Sequence, residues 1–261
     1  VGNGAGESEL DSDVAWSGDR LLVGYQSDDL SGEGSAIQPF VHLFDASGVQ
    51  NLIVWTPESV NSLDPANGNV RWSQPFKIKA SLSIPTPIFN PSTHRLFVTA
   101  FYDGPLMLQL DRNTPAAKVA WKGTSSSERK TDKLHSIMCT PVEKDGYLYG
   151  VCSYGQLRCL KADTGERVWE TLEATGSGRW WNAFITPHQD RYFISNEQGE
   201  LIIASLTPEG YKEDSRVKIL DPTGRAQRRK IVWSHPAYAN RSVYARNDKE
   251  IVCVDLAASS N

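Results

Sequence analysis

An all-β propeller of four-stranded blades is the architecture this sequence predicts, and three recurring features point to it. A proline returns at Pro39, Pro87, Pro141, Pro187 and Pro236, at intervals of 48, 54, 46 and 49 residues. Each proline is followed by a turn and two short β-rich runs. A tryptophan closes three of the units, at Trp72, Trp121 and Trp169. A unit of roughly 48 residues made of short hairpins suits a propeller blade. One such unit cannot bury both its faces, so neighbours must stack.

Taken along the chain, the first run of each unit is NLIVWT, RLFVTA, YLYGVC, RYFISN or SVYARN, and the second is VNSLD, LMLQLD, QLRCLKA, ELIIASL or EIVCVDL. Their β-branched, aromatic and alternating character predicts strands. No stretch of helical period is long enough for a sizeable helix. Three units continue into a related phrase: LDPANGNVRW at 63–72, LDRNTPAAKVAW at 110–121 and LKADTGERVW at 160–169. Gly68 and Gly165 stand four residues before the tryptophan, where a tight turn needs φ > 0. Ala117 holds that place in the other phrase. The fourth unit has no such tryptophan, and Lys218 and Ile219 stand near its place.

The start of the chain differs. Residues 1–34 carry eight acids and one base, Arg20, in a Gly/Ser-rich setting, which reads as a solvated end with a partial blade. The segment DSDVAWSGDRLLVGYQ (11–26) fits the beginning of a unit, with Asp13 in the proline's place. Pro39 then follows 26 residues later, about half a repeat. Two explanations stand: a degenerate blade, or a natural stretch missing near Gln26–Ser35. The favoured one is the missing stretch. Five recognisable units and one partial unit result, with the propeller repeats running over 35–261. The chain begins at Val1 without a Met, so a preceding segment is expected to have been removed.

Composition agrees and excludes several classes. Apolar residues are 39% and charged residues 22%, enough for a core. A net charge of −4 argues against nucleic acid as the partner. No apolar run approaches the ~18 residues of a transmembrane segment. Four cysteines are too few for a disulfide scaffold. Cys159 and Cys253 occupy the same strand position in two units and read as small buried hydrophobes. Cys152 and Cys159 flank one hairpin turn, so a bridge between them stays open. No CxxC or HxxxH pair suggests a metal, and no GxSxG or Walker loop is present.

The segments GYLYGVCSYGQLRCLKADTGERVW (146–169) and NLIVWTPESVNSLDPANGNVRW (51–72) resemble the tryptophan-docking repeat of the pyrroloquinoline-quinone-like β-propellers, the quinoprotein alcohol dehydrogenase-like superfamily. The resemblance covers residues 36–261 or so. It implies seven or eight blades in a full member, so the chain is expected to be a piece of a larger propeller or a small ring. It assigns Gly68, Trp72, Trp121, Gly165 and Trp169 to blade docking. Enzymes of this superfamily stack the quinone on a ring of two adjacent cysteines. Cys139, Cys152, Cys159 and Cys253 include no adjacent pair, so neither cofactor nor metal is expected. Relatives include a lipoprotein that assists outer-membrane β-barrel assembly. The leading expectation is thus a non-catalytic scaffold for a ligand or protein partner, periplasmic or extracellular by resemblance. The alternative is an enzyme with its site at the propeller mouth, either a quinone-dependent oxidoreductase or a polysaccharide-acting protein.

The candidate site lies in the segments that precede the recurring prolines. These read FKIKASLSIPTP, SERKTDKLHSIMCTP, GSGRWWNAFITP and GRAQRRKIVWSHP. Lys79, Lys133, His135, Arg179, Trp180, Trp181, Arg228 and Arg229 share a repeat phase there. Such a basic and aromatic lining suits an anionic or saccharide ligand, or an acidic protein segment. Solvated loop charge with tryptophan packing is the competing explanation of the same residues. Trp180 and Trp181 cannot both point inward on a strand.

Overall fold

The computed structural model describes residues 11–17, 20–26, 40–46 and 49–257, with side chains from residue 50 onward. Among these residues there are 23 strands and one 3-10 turn, Lys79–Ser81. The chain divides into two compact units, Val1–His135 and Ser136–Asn261.

The first unit opens with an antiparallel pair, β1 (Asp11–Ser17) and β2 (Arg20–Gln26). Two four-stranded meanders follow. One is β3 (Phe40–Ala46), β4 (Val49–Trp55), β5 (Ser59–Leu63) and β6 (Val70–Pro75). The other is β7 (Ile88–Asn90), β8 (Arg95–Thr99), β9 (Pro105–Leu110) and β10 (Ala117–Lys122). The second unit holds two more: β11 (Val142–Lys144), β12 (Tyr147–Val151), β13 (Leu157–Lys161) and β14 (Arg167–Thr171), then β15 (Ala183–His188), β16 (Arg191–Asn196), β17 (Glu200–Thr207) and β18 (Gly210–Lys218). A hairpin of β19 (Gly224–Ala226) and β20 (Arg229–Ile231) precedes the last sheet, β21 (Ala237–Ala239), β22 (Ser242–Arg246) and β23 (Ile251–Asp255). Each of the five repeats is therefore one sheet. Both β-rich runs of every repeat are its second and third strands. The expected boundary at 34/35 and the stretch between Gln26 and Ser35 lie outside the described residues.

Four of the prolines mark the first strand of their sheets. Pro87, Pro141 and Pro236 stand just before β7, β11 and β21. Pro187 lies inside β15, opposite Tyr192. It is tolerated there because β15 is an edge strand, where a missing N–H breaks no ladder.

Burial follows the period-2 pattern, and sheets of one unit pack on one another. In the first unit, Ile53, Trp55 and Val60 form one core with Leu96, Val98, Leu106 and Leu108, and Trp72 packs on its margin. In the second, Tyr149, Leu157 and Cys159 meet Tyr192, Ile194, Ile202 and Leu206, with Trp169 and Tyr211 at the edge. The three docking tryptophans are half-buried. Trp121 leans on Phe97, ring centroids 5.8 Å apart.

A β-bulge explains the tryptophan phrase. Trp72 faces Ser62, Trp121 faces Met107 and Trp169 faces Cys159, with Arg71, Ala120 and Val168 as the extra residue just before it. The bulge turns the outer strand so that the ring lies over the sheet. The same bulge occurs in β18, where Ser215 faces Ile203 and Asp214 is the extra residue. Ser215, not Lys218 or Ile219, thus holds the tryptophan position of the fourth unit. The turns before the bulges use Gly68 and Gly165 at φ 76° and 68°. Their amides donate to the carbonyls of Asp64 and Lys161 at 2.8 Å.

The cysteines separate. Cys139, Cys152 and Cys159 are buried thiols and Cys253 is exposed. Tyr149 pairs with Cys159, and Tyr244 pairs with Cys253, so the strand position is the same. The expectation of a buried Cys253 fails because its sheet has three strands and no described sheet covers that face. Ile251 and Tyr244 are correspondingly exposed there. No disulfide joins Cys152 to Cys159; Arg158 Nη1 donates to Cys152 Sγ at 3.1 Å. Burial pushes the Cys159 thiol up to about 11, which keeps it protonated.

Candidate functional site

The segments between sheets have a common support. Each leans on the turn between the second and third strands of the preceding sheet. In the first unit, Thr99 Oγ1 donates to the Leu134 carbonyl at 2.6 Å. In the second, the Trp180 amide donates to the Ser153 carbonyl at 3.0 Å, and the Val232 amide to the Glu197 carbonyl at 2.8 Å. The candidate residues sit on these supported segments.

In the first unit, two candidate lysines lie over aromatic rings. Lys79 Nζ is 5.3 Å from the Tyr102 ring centre, and Lys133 Nζ is 5.1 Å from that of Trp121. The Lys79 amide also donates to Asp103 Oδ2 at 2.7 Å. His135 is fully buried. Its Nε2 is 3.1 Å from Asp132 Oδ1, and its ring rests on Gly104, where an added Cβ would stand 2.8 Å from Nε2. The ring therefore packs inside and is not offered to a ligand at the surface. Burial alone would push the Asp132 carboxyl up. The Thr124 amide, the His135 ring and the Thr124 hydroxyl outweigh it and hold it down to about 2.

In the second unit, four candidates come together. Trp180 has a left-handed φ of 64°, so the segment turns and is not a strand. Trp181 rests against Gly176, where an added Cβ would meet its Cζ2 at 2.5 Å, so only glycine permits this approach. The Arg179 guanidinium lies 4.5 Å from the Trp180 ring centre, and that of Arg229 lies 4.8 Å from Trp181. Such cation–aromatic contacts contribute about 0.5–2 kcal/mol each.

Arg229 is committed to a second partner. Its Nε and Nη2 both donate to the carboxylate of Glu197, the latter at 3.1 Å. Trp233 Nε1 donates to the same carboxylate at 2.9 Å. The Glu197 side chain has no solvent exposure and that of Arg229 has 18%. A buried carboxylate needs such a charge partner and such donors. Glu197 and Trp233 were not legible as site residues. Glu197 sits in a turn whose sequence, SNEQGE, reads as solvated, and only the return of the chain 32 residues later buries it.

Arg228 stands next to Arg229 in the chain but is not part of the cluster of Arg229, Glu197, Trp181 and Trp233. It is exposed, at the tip of the β19–β20 hairpin. Gln227 and Arg228 have φ of 49° and 68°, the backbone of a two-residue type I′ turn. The second unit's candidate site thus has half-buried Arg179 on Trp180 and, at the hairpin tip, exposed Arg228. Its other members are Trp181, Arg229, Glu197 and Trp233. Among the described residues no group of three or more His, Cys, Asp and Glu side chains could hold a metal ion.

No curated protein matches the chain by sequence. Among solved structures, BamB from Moraxella catarrhalis matches with a TM-score of 0.54 at 13% identity, over 95% of this chain and 83% of that one. The β-propeller domain of Cps50 (Swd1) from Myceliophteria thermophila matches with a TM-score of 0.59 at 15% identity, over 94% and 83%. Quinohemoprotein alcohol dehydrogenase from Comamonas testosteroni gives 0.54 at 13% identity, over 90% of this chain but 49% of the enzyme. At these identities the likeness is one of fold, the β-propeller. The family model described as outer membrane protein assembly factor BamB matches residues 56–261, and by that match the chain belongs to this family of pyrroloquinoline-quinone-like β-propellers.

Proposed function

We propose that the chain is a non-catalytic scaffold that binds an acidic segment of a protein partner, and that it serves outer-membrane protein assembly in the periplasm. The observation that supports this most is the division of labour between Arg229 and its neighbours. Arg229 is neutralised by buried Glu197, which fixes the hairpin and the Trp181 segment in place. Exposed Arg228 and Arg179 on Trp180 are then held on a rigid base. A preorganised cation on an aromatic plane loses little entropy on binding, and interface anchors are enriched in tryptophan and arginine. The role in assembly comes from the family whose model the chain matches. Among the described residues no helix is long and apolar enough to cross a membrane.

The test is photo-cross-linking in cells that express the protein. A photoreactive residue in place of Arg228 is expected to give a discrete adduct with an outer-membrane assembly component. The same residue in place of exposed Glu166 should not. Identical adducts from both positions, or none from Arg228, would overturn the proposal. Incubation with pyrroloquinoline quinone and Ca²⁺ should leave the thermal midpoint unchanged; a rise would mean that the folded state binds the quinone.

A further inference from the structure

We propose a second binding site in the second unit, for a multivalent phosphate group such as a diphosphate, in the concavity between the end of β18, the β19–β20 hairpin and the turn after β22. It does not depend on the scaffold reading above.

Four cations line this concavity, Lys218, Arg225, Lys230 and Lys249, against a single lining carboxylate, Asp221. They come from the end of β18, the two strands of one hairpin and the turn after β22, so their convergence is a product of the fold. The volume is ≈ 530 Å³, within the range of small-molecule sites. The one acid is already engaged: Lys218 Nζ lies 2.7 Å from Asp221 Oδ1, and the carboxyl is held below its ordinary range by Lys218 and, more weakly, by Lys230. Asp248, at the rim, is bound by the Thr223 hydroxyl at 2.8 Å.

Two further observations point to an anion. Arg225 and Lys230 are directly opposite each other in the hairpin. Like charges at directly opposed strand positions destabilise a ladder, and a short hairpin has few other contacts to offset this. A bound anion between them removes the repulsion. Alternation also sorts the hairpin's charges. Arg229 turns to Glu197 on one face, which leaves Lys230 and Arg225 together on the other.

The concavity is held open by neutral bonds. Asn247 Nδ2 donates to the Asp221 carbonyl at 2.9 Å, and the Asp248 amide to Thr223 Oγ1 at 3.0 Å. These tie the Lys249 turn to the 221–223 loop. Arg225 offers the fork that suits phosphate oxygens, and the three lysines supply point charges around it. A single monovalent anion would leave several cations unneutralised, which is why the site calls for a multivalent group.

Inorganic pyrophosphate, titrated calorimetrically into the wild-type chain, tests this in solution. Vesicles containing phosphatidic acid test the same chemistry on a lipid headgroup. Lys230→Ala/Lys249→Ala is expected to weaken binding at least tenfold. Lys212→Ala, near the opposite end of β18 and outside the concavity, should change it less than twofold. The thermal midpoint of each variant without ligand checks that the hairpin still folds. Pyrophosphate binding alone assigns a soluble phosphate compound, and vesicle binding that is lost in the double variant assigns a headgroup. Absence of binding to both, or equal binding by wild type and double variant, overturns the site.

Discussion

Trp169 Nε1 donates to the carbonyl oxygen of Thr207 at 2.7 Å, from the outer strand of one sheet to the end of a strand in the next. The indole also packs on Tyr149, ring centroids 6.1 Å apart. One side chain thus joins two adjacent blades by a directional bond and by apolar contact. Trp169→Phe should keep most of the contact and lose the bond, at a cost of about 1 kcal/mol. Trp169→Ala should cost about 3 kcal/mol, the lower end for a tryptophan because the ring is half-buried. Urea unfolding of both variants checks the order, and equal costs would remove the bond from the account.

The buried Glu197–Arg229 pair predicts a marked asymmetry. Arg229→Ala leaves a carboxylate with no exposure and only Trp233 as its strong donor, and should cost about 3–5 kcal/mol. Glu197→Gln in the Arg229→Ala background should recover part of that loss, because the uncompensated charge is gone. A double-mutant cycle measures the coupling. Simple additivity of the two changes would contradict the pairing.

Acid should loosen the first unit through Asp132. Its carboxyl is held down to about 2 in the folded chain, against about 3.9 when unfolded. A group with a depressed folded value stabilises fully above the unfolded value and loses that contribution as pH falls through the folded one. The loss therefore falls between about pH 4 and pH 2. Asp132→Asn should be less stable at pH 7 and should flatten this part of the stability profile. An unchanged slope between pH 4 and 2 would show that Asp132 is not responsible.

The hairpin tip trades stability for exposure of a cation. Arg228 occupies a left-handed position that glycine adopts without steric cost. Arg228→Gly should stabilise the chain by up to about 1 kcal/mol and should weaken binding of an acidic partner. Thermal melts and a binding isotherm check the two effects, and a destabilised variant would contradict the turn assignment.

Much of this fold is legible in the sequence, because strand alternation, proline spacing and turn glycines act locally. RLFVTA and LMLQLD announce β8 and β9 without reference to anything distant. What depends on a neighbour is not legible. Cys253 matches Cys159 in every local respect, yet one is exposed and the other buried, because a packed sheet covers only the second. Ser215 was missed because a bulge shifts the count along β18. The site divides in the same way. The phase of the charged segments placed Arg179, Trp180, Trp181 and Arg229 together, since repeats return the chain to equivalent points. It could not separate Arg229, bound to Glu197, from exposed Arg228, nor show His135 to be interior.

The proposed role of half-buried Arg179 and exposed Arg228 in the second unit is to bind an acidic protein segment. The direct measurement is a titration of poly-glutamate followed by tryptophan fluorescence, with wild type and Arg179→Ala/Arg228→Ala, at low and at 0.5 M salt. Salt at that level screens charges beyond a few ångströms. Saturable binding that weakens at least tenfold in the variant, and also in high salt, is the predicted result. Equal affinity in both proteins, or affinity indifferent to salt, would contradict the claim.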